Sequence, residues 1–116
     1  MRFVPDAKAA AWIENLAGTS ADFEWDKGNR SKHGKHGVSP GDIEALFTST
    51  VVFAGQIVEP RHSESRWLLL GMDHSRRRLA LIFTRRGDKL RAISCRAMRK
   101  NEQKLYEEAT RESEKE

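Results

Sequence analysis

Apolar and polar positions change period near the middle of this chain. Before Thr48 the apolar residues fall at helical or mixed spacing, and after it four short runs of aliphatic and β-branched residues follow one another, at 51–58, 66–72, 78–85 and 89–96. Runs of this length separated by polar turns predict strands. Arg86-Gly87-Asp88 is the clearest hairpin loop. Short connections between adjacent strands imply an antiparallel meander. From Met98 to about Arg111 the spacing turns helical again, with Met98, Leu105 and Ala109 on one stripe and residues 112–116 expected to fray.

The first half predicts shorter elements. Pro5 and Asp6 can open a helix over 7–16, ended by Gly18, with Ala9, Trp12, Ile13 and Leu16 at i, i+3, i+4, i+7. That stripe is expected to dock on the chain's own core, its other use being a contact for a partner or a second copy. Phe23 and Trp25 alternate with Glu24 and Asp26, the pattern of a short half-buried strand. Asp26 then reads as the N-cap of a polar helix through Asn29, Lys32 and Lys35 toward Gly37. Ser39-Pro40-Gly41-Asp42 starts another helix, with Ser39 capping, Pro40 at N1 and Asp42 at N3, and Ile43, Leu46 and Phe47 form its buried face. Together these predict an α+β fold: a short N-terminal strand, two helices, a four-stranded antiparallel sheet and a C-terminal helix. Helices are expected on one sheet face, with the other left partly open.

A chain of 116 residues suits one domain, and its single cysteine, Cys95, excludes an internal disulfide and fits a reducing cytoplasm. The apolar run at 9–13 is too short for a signal peptide or a membrane span. Charge changes the picture more. Residues 61–100 carry twelve Lys or Arg against Glu64, Asp73 and Asp88, whereas the segments on either side are net acidic. A basic patch confined to one third of the chain attracts polyanions through counterion release, unless it serves solubility alone.

Most enzyme classes find no support. His33 and His36 are spaced i, i+3 but lack a recognisable third metal ligand, and there is no Gly-rich phosphate loop, nucleophile elbow or Cys–His pair. RNA cleavage without a metal remains open, because it needs a group of intermediate pKa to take the 2'-OH proton and cations to neutralise the phosphorane. His36 is the candidate for the first task, although a histidine there can equally cap a helix C-terminus. Arg66, Arg85, Arg91 and Arg96 are the candidates for the second. Arg91 and Arg96 differ by five positions, so in a regular strand they point to opposite faces; either the strand carries a bulge or only one reaches the open face. Arg99, Glu102 and Tyr106 share a helical stripe that could close over such a site, where Tyr106 could bond a phosphate, stack on a base or simply pack.

The ordered blocks Phe23-Glu24-Trp25-Asp26, Lys35-His36-Gly37-Val38-Ser39 and Arg91-Ala92-Ile93-Ser94-Cys95-Arg96, with Glu102 and Tyr106 downstream, resemble the BrnT family of bacterial toxins, within the RelE-like group of small ribonucleases. The resemblance runs from about Asp22 to about Glu108. It implies a toxin domain at 23–111 behind a helical extension at 1–22, and a RelE-like order of elements. It implies a metal-independent endoribonuclease, needing no cofactor, that cuts cellular RNA in the cytoplasm and inhibits growth. The catalytic residues would be His36, Arg91 and Arg96, with RNA contacts from Lys35, Arg66, Arg85, Arg99, Glu102 and Tyr106. The implied partner is a cognate BrnA-like antitoxin with a ribbon-helix-helix element, through which alone the complex reaches DNA, and no membrane is involved. Cys95 stands where the family often has Ala. The rival readings are a non-catalytic nucleic-acid-binding module and a degenerate toxin acting only in antitoxin binding and operon repression.

Overall fold

Helix and strand starts follow from local chemistry. In the computed structural model, which describes residues 1–16, 20–30 and 36–114, the Asp6 side chain accepts the Ala9 N–H at 3.1 Å and opens α1 (Ala7–Glu14). Ser39 and Asp42 form a reciprocal capping box on α2 (Pro40–Ala45), with Pro40 in the first turn. A 3-10 turn, Leu46–Thr48, leads into β2 (Val52–Glu59), β3 (Arg66–Met72), β4 (Arg78–Arg86) and β5 (Lys89–Ala97), and α3 (Lys100–Glu114) closes the chain. The β4–β5 turn is the expected hairpin: Arg86 pairs with Lys89 across Gly87-Asp88, and Gly87 supplies a φ of 66°.

The class is α+β as expected, but the sheet has five antiparallel strands, in the order β1-β2-β3-β4-β5. The additional strand, β1 (Arg2–Val4), pairs with β2. It fits because Gly55 lies directly beneath it: a Cβ there would meet the Val4 carbonyl oxygen at 2.3 Å, and the Gly55 φ of 137° suits glycine alone. The strand expected at Phe23–Asp26 shrinks to one parallel bridge between Phe23 and Leu90. Its polar side chains are spent on the outer side of β5 instead of a ladder. The helix expected from Asp26 is a turn at residues 27–29, and the rest of it, with Lys32, His33 and Lys35, lies outside the described residues, as does Gly18.

Both sheet faces carry apolar cores. On the first, Leu69, Leu79, Leu81, Phe83, Leu90, Ala92 and Cys95 pack against Ile13 of α1, Ile43 of α2, Leu46 and Phe23. Each fully buried aliphatic or aromatic side chain there contributes roughly 1.5–3 kcal/mol. On the second, Ile57, Leu68, Leu70 and Ala80 pack against Met98 and Tyr106. The helices are therefore divided between the faces, α1 and α2 on one and α3 on the other. Phe3, Met72 and Ile82 remain only partly covered. No helix among the described residues is long and apolar enough to cross a membrane.

Asn29 fastens the 23–30 segment to the sheet. It is 2% exposed; its amide donates to the carbonyls of Glu24 at 2.9 Å and Ala92 at 3.3 Å, while its Oδ1 accepts the Asp26 N–H at 2.9 Å. Asn29→Ala is expected to lower stability by about 1–3 kcal/mol, since the groups it satisfies are left in a dry site. Denaturant melts check this, and a change under half a kcal/mol would show that the fastening is not Asn29's.

Candidate nucleic-acid interface

The strand parity problem is resolved by a bulge. Ile82 pairs with Ser94 but Phe83 pairs with Ala92, so Ile93 is an extra residue in β5. Arg96 then lies opposite Ala80 and Arg91 opposite Thr84, two positions of the same parity on β4, and the two arginines share a face. Arg66 joins them, since Leu68 and Leu70 of the same parity pair with Ile82 and Ala80. Arg85 does not. It pairs with Leu90 and lies on the opposite face, its guanidinium 4.6 Å from the centre of the Trp12 ring.

Carboxylates hold two of these arginines. Arg91 donates from Nη1 to Asp26 Oδ2 at 2.7 Å and Glu24 Oε1 at 3.0 Å, and from Nη2 to Asp26 Oδ1 at 3.2 Å. The Arg91 guanidinium lowers the Asp26 pKa, and the bond to Asp26 is the main cause of the raised Arg91 pKa. Gly28 makes room here, because a Cβ would stand 3.1 Å from Asp26 Oδ1 and 3.2 Å from Arg91 Nη2. Arg96 forms a two-pronged pair with Glu102, Nη1–Oε1 2.7 Å and Nη2–Oε2 3.0 Å, and Nη1 also donates to the Ala97 carbonyl. The Glu102 side chain is 1% exposed. Burial alone pushes its pKa up, but the Arg96 bonds and the Arg99 N–H, 2.7 Å from Oε1, outweigh that and leave it lowered. Each guanidinium has five N–H groups and makes three of these bonds among the described residues, which leaves two per arginine to meet another acceptor.

The remaining candidates divide. Arg66 is half-buried, and its Nε has no hydrogen-bond partner among the described residues. Tyr106 is 5% exposed, donates to the Thr50 carbonyl at 3.4 Å and lies under Arg78; it is a core residue of the second face. Arg99 meets Glu102 through its backbone N–H. His36 is exposed and precedes Gly37, whose carbonyl accepts from Arg77 Nη1 at 2.8 Å. That puts it by the β3–β4 loop, at the Arg96 end of β5, and among the described residues the hydrogen bonds and ion pairs of Arg91 and Arg96 go to other partners. Lys35 lies outside the described residues.

Several positioning residues were invisible to pattern reading. Asp73, 5% exposed, accepts from the Ser75 N–H and from both the N–H and Nε of Arg77, which also reaches Asp42 at 3.0 Å. A basic residue in a turn reads as a free surface cation, yet Arg77 ties the β3–β4 loop to α2. Cys95 is fully buried, and burial pushes its thiol pKa up to about 12, which makes it a packing residue. No group of three or more His, Cys, Asp or Glu placed to hold a metal occurs among the described residues.

Among curated proteins, none matches this chain. A family model described as "Ribonuclease toxin, BrnT, of type II toxin-antitoxin system" matches residues 25–102, about two thirds of the chain, a span that includes the Ile93 bulge, Arg91, Arg96 and Glu102. The chain thus belongs to the BrnT family of ribonuclease toxins of type II toxin-antitoxin systems.

Proposed function

We propose that the protein cuts cellular RNA without a metal ion, and that growth arrest follows until a cognate BrnA-like antitoxin binds. The observation that carries this reading is the bulge at Ile93, which puts Arg91 and Arg96 on the same face as Arg66. Four pairing steps separate Arg91 from Arg96, roughly 13 Å along the strand. Held by different elements, they serve different phosphates of an RNA strand lying along β5. Arg96, at the His36 end, neutralises the phosphorane; His36 takes the 2'-OH proton as the 2'-oxygen bonds to phosphorus, and the P–O5' bond breaks with the departing 5'-oxygen taking a proton from solvent; Arg66 and Arg91 bind flanking phosphates. Glu102 acts as a positioning residue, fixing the Arg96 fork. Lys35 and Arg99 are assigned to RNA contact, and Tyr106 packs beneath α3, which carries Glu102.

The expected result is cleavage by purified protein in excess EDTA, with products ending in 2',3'-cyclic or 3'-phosphates, because the 2'-OH is the nucleophile. Cleavage that requires added Mg²⁺, or 3'-hydroxyl ends, sinks the mechanism. A specific observation supports the rival reading of a non-catalytic or degenerate toxin, namely that carboxylates already occupy both candidate catalytic arginines. Induction in cells separates the two: arrest relieved by the adjacent gene's product favours the enzyme, and binding to that product without arrest favours the rival. The antitoxin's ribbon-helix-helix element, contact with DNA through it alone, and a cytoplasmic location belong to the same proposal.

A further inference from the structure

A second feature lies on the opposite sheet face from Arg91 and Arg96. Trp12 of α1 and Trp67 of β3 both stand against Phe83, with ring centres 6.4 Å and 5.8 Å from it. They line a cavity of about 220 Å³ with Asp6, Lys8, Ala9 and Arg85. This is below the roughly 300–1,000 Å³ of a site for drug-sized ligands and matches a single ring system. The lining is held in place: Trp67 Nε1 donates to Asp6 Oδ2 at 2.8 Å, and Asp6 in turn caps α1. Arg85 is anchored to the Gly87 carbonyl at 2.7 Å and lies over Trp12. Lys8 and Arg85 are both exposed, so cations flank an aromatic slot.

We infer that this slot takes one unstacked base of single-stranded RNA, the base lying against the indoles and its phosphate meeting Arg85 and Lys8. Aromatic faces accept any base, and a flanking cation supplies the phosphate contact. The position suits one continuous strand. Arg85 and Arg86 are consecutive on β4 and point to opposite faces, and Arg91 lies across from the neighbouring Thr84. RNA passing over the β4–β5 turn would leave the arginine face and put the next exposed base at Trp12. Trp12, Asp6 and Lys8 precede the segment matched by the family model, whereas Trp67 and Arg85 lie within it, so the slot joins the N-terminal residues to the matched domain. The inference rests on RNA being the substrate.

The test is fluorescence anisotropy of the full chain with a labelled single-stranded RNA made uncleavable by 2'-O-methylation, alongside cleavage of the unmodified oligomer. Trp12→Leu keeps an apolar side chain but loses the stacking surface, and is expected to weaken binding roughly tenfold or more. Arg85→Gln should reduce the slope of log affinity against log salt by about 0.7. Lys104→Gln, an exposed cation on α3, should leave affinity unchanged. Should Trp12→Leu fail to fold, Arg85→Gln carries the test alone, since its side chain is on the surface. Wild-type cleavage with Trp12→Leu and Arg85→Gln binding as wild type does would overturn the slot while leaving the ribonuclease reading in place. Loss of antitoxin binding in these variants with RNA affinity intact would overturn it in favour of a protein anchor. A wild type that neither binds nor cleaves RNA removes both readings.

Discussion

Arg96→Ala is expected to destabilise the fold by about 3–5 kcal/mol, because it leaves the buried Glu102 carboxylate without its ion-pair partner. Beyond its place in the candidate site, the Arg96 guanidinium holds Glu102 in the first turn of α3. Replacing both partners by apolar residues of similar size, Arg96→Met with Glu102→Leu, should recover most of the loss. Urea melts of the two single variants and the double variant measure the coupling. Near-additive losses would show that the pair does not hold the helix. The same pair sets an acid limit. The folded-state pKa of Glu102 lies below its ordinary 4.5, so the stability it contributes is fully present above that value and is lost as pH falls through the folded pKa. Glu102→Gln should therefore flatten the acid limb of the stability curve, and an unchanged limb would assign acid unfolding to other carboxylates. Activity losses in Arg96 variants can be read as catalytic only where circular dichroism shows the fold retained.

Gly55→Ala is the second large effect. Its Cβ would stand 2.3 Å from the Val4 carbonyl oxygen, a backbone atom that cannot rotate away, and the φ of 137° adds strain of roughly 1–3 kcal/mol. The strain has one outlet, which is separation of β1 from β2. Removing β1 uncovers Phe3's neighbours on the second face and loosens the tether of α1, whose Ile13 is 5% exposed on the first. The expected result is a lower melting temperature with early hydrogen exchange at the amides of β2 that face β1. Wild-type protection at those amides would show that β1 tolerates the side chain. Deleting residues 1–21 should go further and cost solubility, because Ile13, Trp12 and Leu16 all pack on the first core.

What could be read from sequence was what depends on neighbours. Ser39-Pro40-Gly41-Asp42 announces α2 because every group in its cap lies within three residues, and β3 to β5 announce themselves by run length and by Gly87. β1 is illegible because Arg2-Phe3-Val4 is too short to show a period and its enabling residue is Gly55, on another strand. The site was legible in residue type and not in arrangement. Arg91, Arg96 and Glu102 could be named, but their common face depends on Ile93, whose extra position shows only in the pairing with β4. The Arg91 partners, Glu24 and Asp26, are more than sixty residues away. Arg96 and Glu102 span a strand-to-helix junction, where neither a period of 2 nor one of 3.6 applies.

The Phe23–Leu90 bridge and the Asn29 amide on the Ala92 carbonyl also bear on how copies of this protein meet. An outermost strand with free N–H and C=O groups is a template for another chain, and long flat ones drive aggregation. Here the start of β5 is already occupied by the 23–30 segment, and the exposed remainder is kinked at Ile93. At the other margin β1 is three residues long, with a register shift between Arg2 and Phe3. Among the described residues, neither side of the sheet therefore offers a straight ladder to a second copy.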